Sequence, residues 1–73
     1  MRSSVIASHS YDRATAELTV TFTTGRIYLY RGVPQDLAAA FDIALSKGLF
    51  FNTRIRDHFR CRELDPVSRR ALW

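Results

Sequence analysis

Alternation of apolar and polar residues on either side of a glycine turn constrains this chain more than any other feature of its sequence. In residues 17–22, apolar side chains alternate with Thr and Glu, and in residues 27–30, aliphatic side chains alternate with Tyr. Thr24-Gly25 separates the two segments. β-Branched and aromatic residues around a glycine turn are typical of a β-hairpin. Residues 17–31 are therefore predicted to form two antiparallel strands.

The length of the turn determines which residues of the hairpin pair. With a two-residue loop, Val20 pairs with Leu29, and both side chains face the core. The two tyrosines of the second strand, Tyr28 and Tyr30, then lie on the opposite face. The predicted core of the whole domain comprises Phe22, Ile27, Leu29, Phe41, Leu45 and Ile55.

A third strand and two helices complete the predicted architecture. Residues 4–11 are predicted to form a strand before the hairpin, because two strands alone are marginal in water. Val33-Pro34 ends the last strand and starts a helix, which Gly48 is expected to terminate in a left-handed conformation. The apolar stripe of this helix consists of Leu37, Phe41, Ala44 and Leu45. Asn52 is predicted to cap a second helix, on which Ile55 and Phe59 share one face, as do Arg56 and Arg60. The predicted fold class is α+β: a three-stranded antiparallel meander followed by two helices (β-β-β-α-α), with a flexible or short helical tail.

Positive charge is confined to the C-terminal part of the chain. Residues 1–46 carry four Arg and four acids, whereas residues 47–73 carry one Lys and six Arg against three acids and hold the whole net charge of +4. Such segregation on a small chain indicates an anionic partner. Arginine also fits phosphate and carboxylate bidentately. The predicted binding residues are Lys47, Asn52, Arg54, Arg56, Arg60 and Arg62; the alternative for this cluster is a solvated helix surface with one structural ion pair.

Four aromatic side chains are candidates for further contacts: Tyr28, Tyr30, Phe50 and Trp73. Tyrosines on an open sheet face can stack on the bases of single-stranded RNA. The alternative is that they pack beneath the first strand, the helices or the tail, and this is favoured because a small domain offers few other partners for so much apolar area. Trp73 either docks on the domain or anchors an interface.

The sequence contains no convincing catalytic or metal-binding constellation. His58 and Cys61 supply only two metal ligands, and no nucleophile has a His and an Asp at suitable positions. A non-enzymatic domain without metal or cofactor is therefore predicted. The single cysteine, the lack of a signal peptide and the lack of a long apolar run predict a cytoplasmic protein without a membrane segment.

A series of short motifs runs along residues 3–60. The motifs are Ser3-Ser4-x-Ile6, Tyr11-Asp12, Leu18-x-Val20-x-Phe22-x-x-Gly25, Tyr28-x-Tyr30, Val33-Pro34, Ser46-Lys47-Gly48-x-x-Phe51-Asn52 and Ile55-Arg56. Together they resemble the KTSC domain, which is named for its occurrence at the C-terminus of some lysyl-tRNA synthetases. The resemblance implies a small α+β fold, a role in nucleic-acid or RNA machinery, and no established catalytic activity. It divides the chain into a KTSC-like domain, residues 1–61, and a basic tail, residues 62–73, in which residues 67–72 are predicted to form a short helix.

Two functions are compatible with these features. A narrower resemblance, in length, stand-alone domain and arginine richness, is to a small phage transcription regulator that binds the host RNA polymerase. The preferred expectation is therefore a monomeric, phage-encoded regulator that binds bacterial RNA polymerase in the host cytoplasm and inhibits or modulates transcription. The alternative is an RNA- or tRNA-binding module, with arginines on phosphates and aromatic side chains on bases.

Overall fold

The computed structural model describes residues 5–72, which form a four-stranded antiparallel sheet with helical segments packed on one face. The strands are β1 (Ile6–Asp12), β2 (Glu17–Phe22), β3 (Ile27–Arg31) and β4 (Arg60–Leu64), in the spatial order β1-β2-β3-β4. Between β3 and β4 lie α1 (Gln35–Asp42), α2 (Lys47–Phe50) and a π-helical turn (Phe51–Ile55). The predicted α+β class with an antiparallel sheet is confirmed, but the sheet has four strands and not three. None of the helices in residues 5–72 is long and apolar enough to cross a membrane.

The fourth strand is the main departure from the predicted fold. The sequence predicts a second helix that extends through Phe59, but the helical segment ends at Ile55. Asp57 then adopts a left-handed conformation (φ 65°), which turns the chain back towards the sheet. β4 pairs with β3 in an antiparallel register and spans residue 61, where the sequence places the boundary between domain and tail. The predicted division of the chain into a domain, residues 1–61, and a tail, residues 62–73, stays a prediction.

The turn between β2 and β3 is one residue longer than predicted. The backbone N–H of Gly25 donates to the carbonyl of Phe22 (2.9 Å), and the N–H of Phe22 donates to the carbonyl of Arg26 (2.8 Å). Residues 23–25 therefore form a three-residue loop. Gly25 has φ 94°, the left-handed conformation that such loops need at their last position and that glycine adopts without steric cost.

The longer loop shifts the register of the hairpin by one residue and exchanges the two faces of β3. Val20 lies opposite Tyr28, so both tyrosines of β3 belong to the face that meets the helical segments, and Tyr30 is buried. Leu29 lies half-buried on the opposite face, and its assignment to the core is wrong. Ile27 is buried as predicted, but it lies on that opposite face and outside the main core cluster.

The core lies between the sheet and the helical segments. Phe41 is fully buried, and its ring meets the ring of His9 edge-on with a centroid distance of 4.8 Å. Ile55 is also fully buried, and Phe22 is partly buried against the core. The predictions for Phe41 and Ile55 are therefore confirmed. The buried core cluster consists of Ile6, Leu18, Val20, Tyr30, Val33, Ala38, Phe41, Phe51 and Ile55.

The first helix starts where the sequence predicts and ends earlier. Pro34 precedes its first residue, and the helix ends at Asp42. The ammonium group of Lys47 donates to the carbonyl of Asp42 (3.0 Å) and to that of Ala44 (3.3 Å), which satisfies carbonyls left open at the end of the helix. Leu45 lies in the connection beyond α1 and is 97% exposed. Its predicted place in the core is wrong because the helical periodicity that supported it stops three residues earlier.

The second helix begins earlier than predicted. Ser46 is its N-cap, and its hydroxyl accepts a hydrogen bond from the N–H of Leu49 (3.3 Å). Gly48 consequently lies inside α2 and does not terminate a helix. Asn52 lies inside the π-helical turn that follows, so its predicted capping role is wrong.

Residues 65–72 form a turn and a bridge. The carboxylate of Asp65 accepts hydrogen bonds from the backbone N–H groups two and three residues further along the chain (3.2 and 2.7 Å). Ala71 then pairs with Leu64 at the end of β4. The short helix predicted over residues 67–72 is wrong, because these bonds close a tight turn and return the chain beside β4.

Candidate functional site

The sheet face turned away from the helical segments carries three arginines of β3 and β4. Arg31 lies directly opposite Arg60, and Arg62 lies opposite Leu29. Directly opposite residues of antiparallel strands share a face, and so do residues two apart on one strand. All three arginine side chains are exposed. We call Arg31, Arg60 and Arg62 the arginine stripe.

The charges of the arginine stripe are only partly compensated. The Nε atom of Arg31 lies 3.9 Å from a carboxylate oxygen of Glu17. Neither Arg60 nor Arg62 forms an ion pair with any carboxylate in residues 5–72. Like charges placed directly opposite each other destabilise a sheet. The pairing of Arg31 with Arg60 therefore costs stability, and a bound anion would offset that cost.

A groove of about 550 Å³ opens on the core-facing side of the sheet. We call it the hairpin groove, because one wall is the β2–β3 turn; the other wall is the π-helical turn with the segment that follows it. The ring of Phe22 meets the rings of Tyr28 and Phe51 edge-on, at centroid distances of 5.6 and 5.3 Å. These contacts hold an aromatic wall in place. The polar part of the lining comprises Thr23, Thr24, Arg26, Asn52, Arg56 and Asp57.

Each wall of the hairpin groove contributes one arginine. A side-chain hydrogen bond with Tyr28 raises the pKa of Arg26, and the negative charge of Glu63 raises this pKa further. Arg56 follows the π-helical turn, and its N–H donates to the carbonyl five residues earlier (2.7 Å). Asp57 is the one carboxylate among the described groove residues. The lining therefore carries two positive charges and one negative charge.

The backbone beside the hairpin groove departs from regular geometry at two points. π-Helical turns are rare and are frequent at functional sites, and here one spans Phe51–Ile55. Two residues later, Asp57 has a positive φ, which is uncommon and costly for a residue with a Cβ atom. Together these features direct Asn52 and Arg56 to the groove lining.

The predicted basic cluster is divided between two surfaces. Asn52 and Arg56 line the hairpin groove, whereas Arg60 and Arg62 belong to the arginine stripe on the other face of the sheet. The division follows from β4, because alternate residues of a strand point to opposite faces. A helix over the same residues, as the sequence predicts, would have placed Arg56 and Arg60 side by side.

The remaining predicted residues have local roles or lie apart from both surfaces. Lys47 binds the end of α1. The guanidinium of Arg54 lies 5.7 Å from the ring centre of Phe50, within cation–π range. Tyr30 is among the residues that line the hairpin groove, but it is only 5% exposed and its ring offers little surface for stacking. Burial raises the pKa of Tyr30, with a smaller contribution from Cys61. Tyr28 lines the hairpin groove, and Trp73 lies outside the described residues.

Sequence reasoning missed Arg26 and Arg31. Both lie in the half of the chain whose charges cancel, so a count by segment does not single them out. Arg31 becomes notable only when β4 places Arg60 opposite it. The alternation of Arg60 and Arg62 with Cys61 and a glutamate is compatible with a strand in residues 60–64, but it does not identify one without β3.

Comparisons with known proteins agree with this architecture. The model of the KTSC domain matches residues 2–59. Lysine–tRNA ligases from Nostoc punctiforme and Trichormus variabilis are 39% and 34% identical to this chain over 61 residues, which is 84% of the chain. The chain spans only 11% of the length of these relatives.

A solved structure gives the same result over nearly the whole length of both chains. The crystal structure of a KTSC domain protein from Yersinia pestis is 37% identical, has a TM-score of 0.83, and covers 89% of this chain and 92% of its own. The motifs of residues 3–60, the family match and this shared fold lead to one conclusion: the chain belongs to the KTSC domain family.

Proposed function

We propose that this chain is a non-enzymatic RNA-binding module that contacts the phosphate backbone through the arginine stripe. The observation that carries the proposal is the direct pairing of Arg31 with Arg60, with Arg62 on the same face. Neighbouring strands are about 4.8 Å apart and residues two apart on a strand about 6.8 Å, so one extended RNA strand can contact all three arginines. Arginine binds phosphate bidentately and keeps its charge at any physiological pH.

The relatives favour RNA as the anionic partner. The matching proteins are named lysine–tRNA ligases, and this chain is 34–39% identical to a short part of them. A domain carried by proteins whose name states tRNA as a substrate has an evident use for a phosphate-binding face. The proposed target is therefore single-stranded RNA or an unpaired segment of tRNA, where an exposed backbone and unstacked bases are accessible.

Binding to bacterial RNA polymerase, the function preferred from the sequence, stays a prediction. It would use the same arginines, because arginine pairs with acidic protein surfaces as well as with phosphate. No feature of residues 5–72 and none of the relatives described above favours a polymerase surface over RNA. The two functions differ in their salt dependence, since an apolar interface centre is not screened by salt.

Anisotropy of a labelled single-stranded RNA oligonucleotide, measured across a range of salt concentrations, tests the proposal. Each single-strand phosphate contact contributes about −0.7 to the log–log slope of affinity against salt. Replacing both Arg60 and Arg62 by Gln is expected to flatten the slope by about 1.4. The matched control is Arg13→Gln, which removes one exposed arginine from the β1–β2 turn and should leave the slope unchanged.

Two results would contradict the proposal. The first is an unchanged slope in the double variant, or an equal change in the Arg13 variant. The second is the absence of RNA binding at low salt; if immobilised wild-type chain then retained purified bacterial RNA polymerase, the polymerase function would replace RNA binding.

A further inference from the structure

We infer that the hairpin groove binds one unstacked nucleotide of the RNA strand, an inference that rests on the proposed function. The groove has a volume of about 550 Å³, which lies in the range of small-molecule sites. Its lining combines aromatic rings with polar groups, and this combination is the one that proteins use to hold a splayed-out base. The arginine stripe contains no aromatic ring, and we assign it to the phosphate backbone.

The aromatic part of the groove is suited to a base. Phe59 is half-buried and lines the groove in the segment before β4. Phe22 is held by edge-on contacts with Tyr28 and Phe51, so that side of the groove is already ordered. Every base has a π-face that stacks on such rings, and a preformed wall lowers the entropic cost of binding.

The polar part of the groove is suited to a nucleotide and not to a neutral apolar ligand. Arg26 and Arg56 come from opposite walls, where each can bind a phosphate oxygen, and the carboxylates of Asp57 in the lining and of Glu63 near Arg26 partly offset their charge. The amide of Asn52 carries both donors and an acceptor, makes no hydrogen bond with other described residues, and can bind the edge of a base.

A single strand can reach both surfaces of the molecule. β4 is the last strand of the sheet, and residues 71–72 pair only with its C-terminal end, at Glu63 and Leu64. Cys61 lines the groove on one face of β4, while Arg60 and Arg62 lie on the other. Only the thickness of one strand separates the groove from the stripe. RNA that crosses this edge would place a base in the groove and the adjoining phosphates on the stripe.

Titration of the ¹⁵N-labelled full chain with AMP, CMP, GMP and UMP, followed by amide chemical shifts, tests the inference. We expect saturable shifts confined to residues 23–26 and 52–59. Ribose 5-phosphate, which lacks a base, should produce much smaller shifts at the same concentration. Phe59→Leu keeps an apolar side chain but loses the ring, and should weaken nucleotide binding by about fivefold or more. Arg56→Gln, at an exposed position, should weaken it without affecting the fold.

The matched control is Arg62→Gln, which should leave nucleotide affinity unchanged while it flattens the salt slope for RNA. Absence of shifts in the groove, equal shifts with ribose 5-phosphate, or groove shifts produced by an acidic peptide but by no nucleotide would each overturn the inference. RNA binding that depends on the arginine stripe but is unchanged by Phe59→Leu and Arg56→Gln would overturn the inference about the hairpin groove and would not affect the proposed function. Nucleotide binding in the groove without RNA binding would overturn the proposed function and, with it, the inference that the bound nucleotide belongs to an RNA strand.

Discussion

Replacing Phe41 by Ala is the most direct test of how this domain is held together. The side chain is fully buried, and its ring centre lies 4.8 Å from that of His9 and 5.7 Å from that of Phe50. Truncation of a buried phenylalanine costs about 3–5 kcal/mol, because the transfer free energy of the ring is lost and a cavity remains. At about 0.05–0.15 kcal/mol per residue, a 73-residue domain has a total stability of about 4–11 kcal/mol. The substitution should therefore remove about a quarter of it or more.

Thermal and urea denaturation followed by circular dichroism measure this loss. In a domain of this size, 1 kcal/mol corresponds to about 4–8 °C in Tm, so the expected fall is at least about 12 °C. Leu45→Ala is the matched control: the sequence assigns Leu45 to the core, but the side chain is 97% exposed, and its truncation should change stability by less than about 0.5 kcal/mol. The reasoning is refuted if the Phe41 variant melts within about 4 °C of the wild type, or if both variants lose the same stability.

Four further substitutions test individual features, three of them by urea denaturation. Gly48→Ala should stabilise the domain by about 0.5–1 kcal/mol, because the residue is helical and an added Cβ meets a valine methyl at an ordinary 3.4 Å; a loss would indicate the left-handed conformation that the sequence predicts. Gly25→Ala should destabilise it by at least about 1 kcal/mol, since φ is 94°. Arg60→Glu should stabilise the sheet by roughly 0.2–1 kcal/mol, because the new carboxylate pairs with Arg31, and should weaken RNA binding measured by anisotropy. Unchanged stability together with unchanged RNA binding would contradict the proposed role of the arginine stripe. The pKa of Asp65 is lowered by hydrogen bonds from backbone N–H groups. The ionised carboxylate therefore stabilises the turn fully above the ordinary Asp pKa of about 3.9, and this stabilisation is lost as pH falls through the lowered pKa. Amide chemical shifts of the turn, followed against pH, should show the loss, and Asp65→Asn should abolish this pH dependence.

The parts of the fold that sequence reasoning predicted correctly depend on local signals. The alternation in residues 17–22 and 27–30 is enough to identify β2 and β3, and Pro34 is enough to start α1. Burial of Phe41 follows from its place on the apolar stripe of that helix. In each case the information lies within a few residues of the feature it determines, which is the range over which periodicity and propensity act.

The parts that it missed depend on geometry or on distant partners. A loop of two residues and a loop of three both fit Thr24-Gly25, yet they give opposite faces to Leu29 and Tyr30. β4 consists mainly of charged residues, and it is a strand because β3 offers an edge to it. No pattern within residues 60–64 states that such an edge exists.

The candidate site was predicted as a set of residues and not as an arrangement. Segregated charge points to Arg56, Arg60 and Arg62, whose residue types do not depend on the fold. Their separation into a groove and a stripe depends on the strand after Asp57, and the importance of Arg31 depends on a pairing between residues 29 positions apart. Composition can therefore suggest an anionic partner, but the surface that contacts this partner can be identified only from the pairing of the strands.

Three departures from stable geometry lie at the two proposed surfaces, while two further positive φ angles, at Ala16 and Arg69, belong to neither surface. Asp57 adopts a left-handed conformation beside the hairpin groove, the rare π-helical turn forms one wall of that groove, and Arg31 faces Arg60 across the stripe. Each feature lowers the stability of a domain whose total is only about 4–11 kcal/mol, and local rules are broken mainly where function requires it. A sequence selected for stability alone would place Gly at position 57 and an acid at position 60. We therefore expect that substitutions at positions 57 and 60 can raise stability only at the expense of binding, whereas Gly48→Ala raises stability without affecting binding.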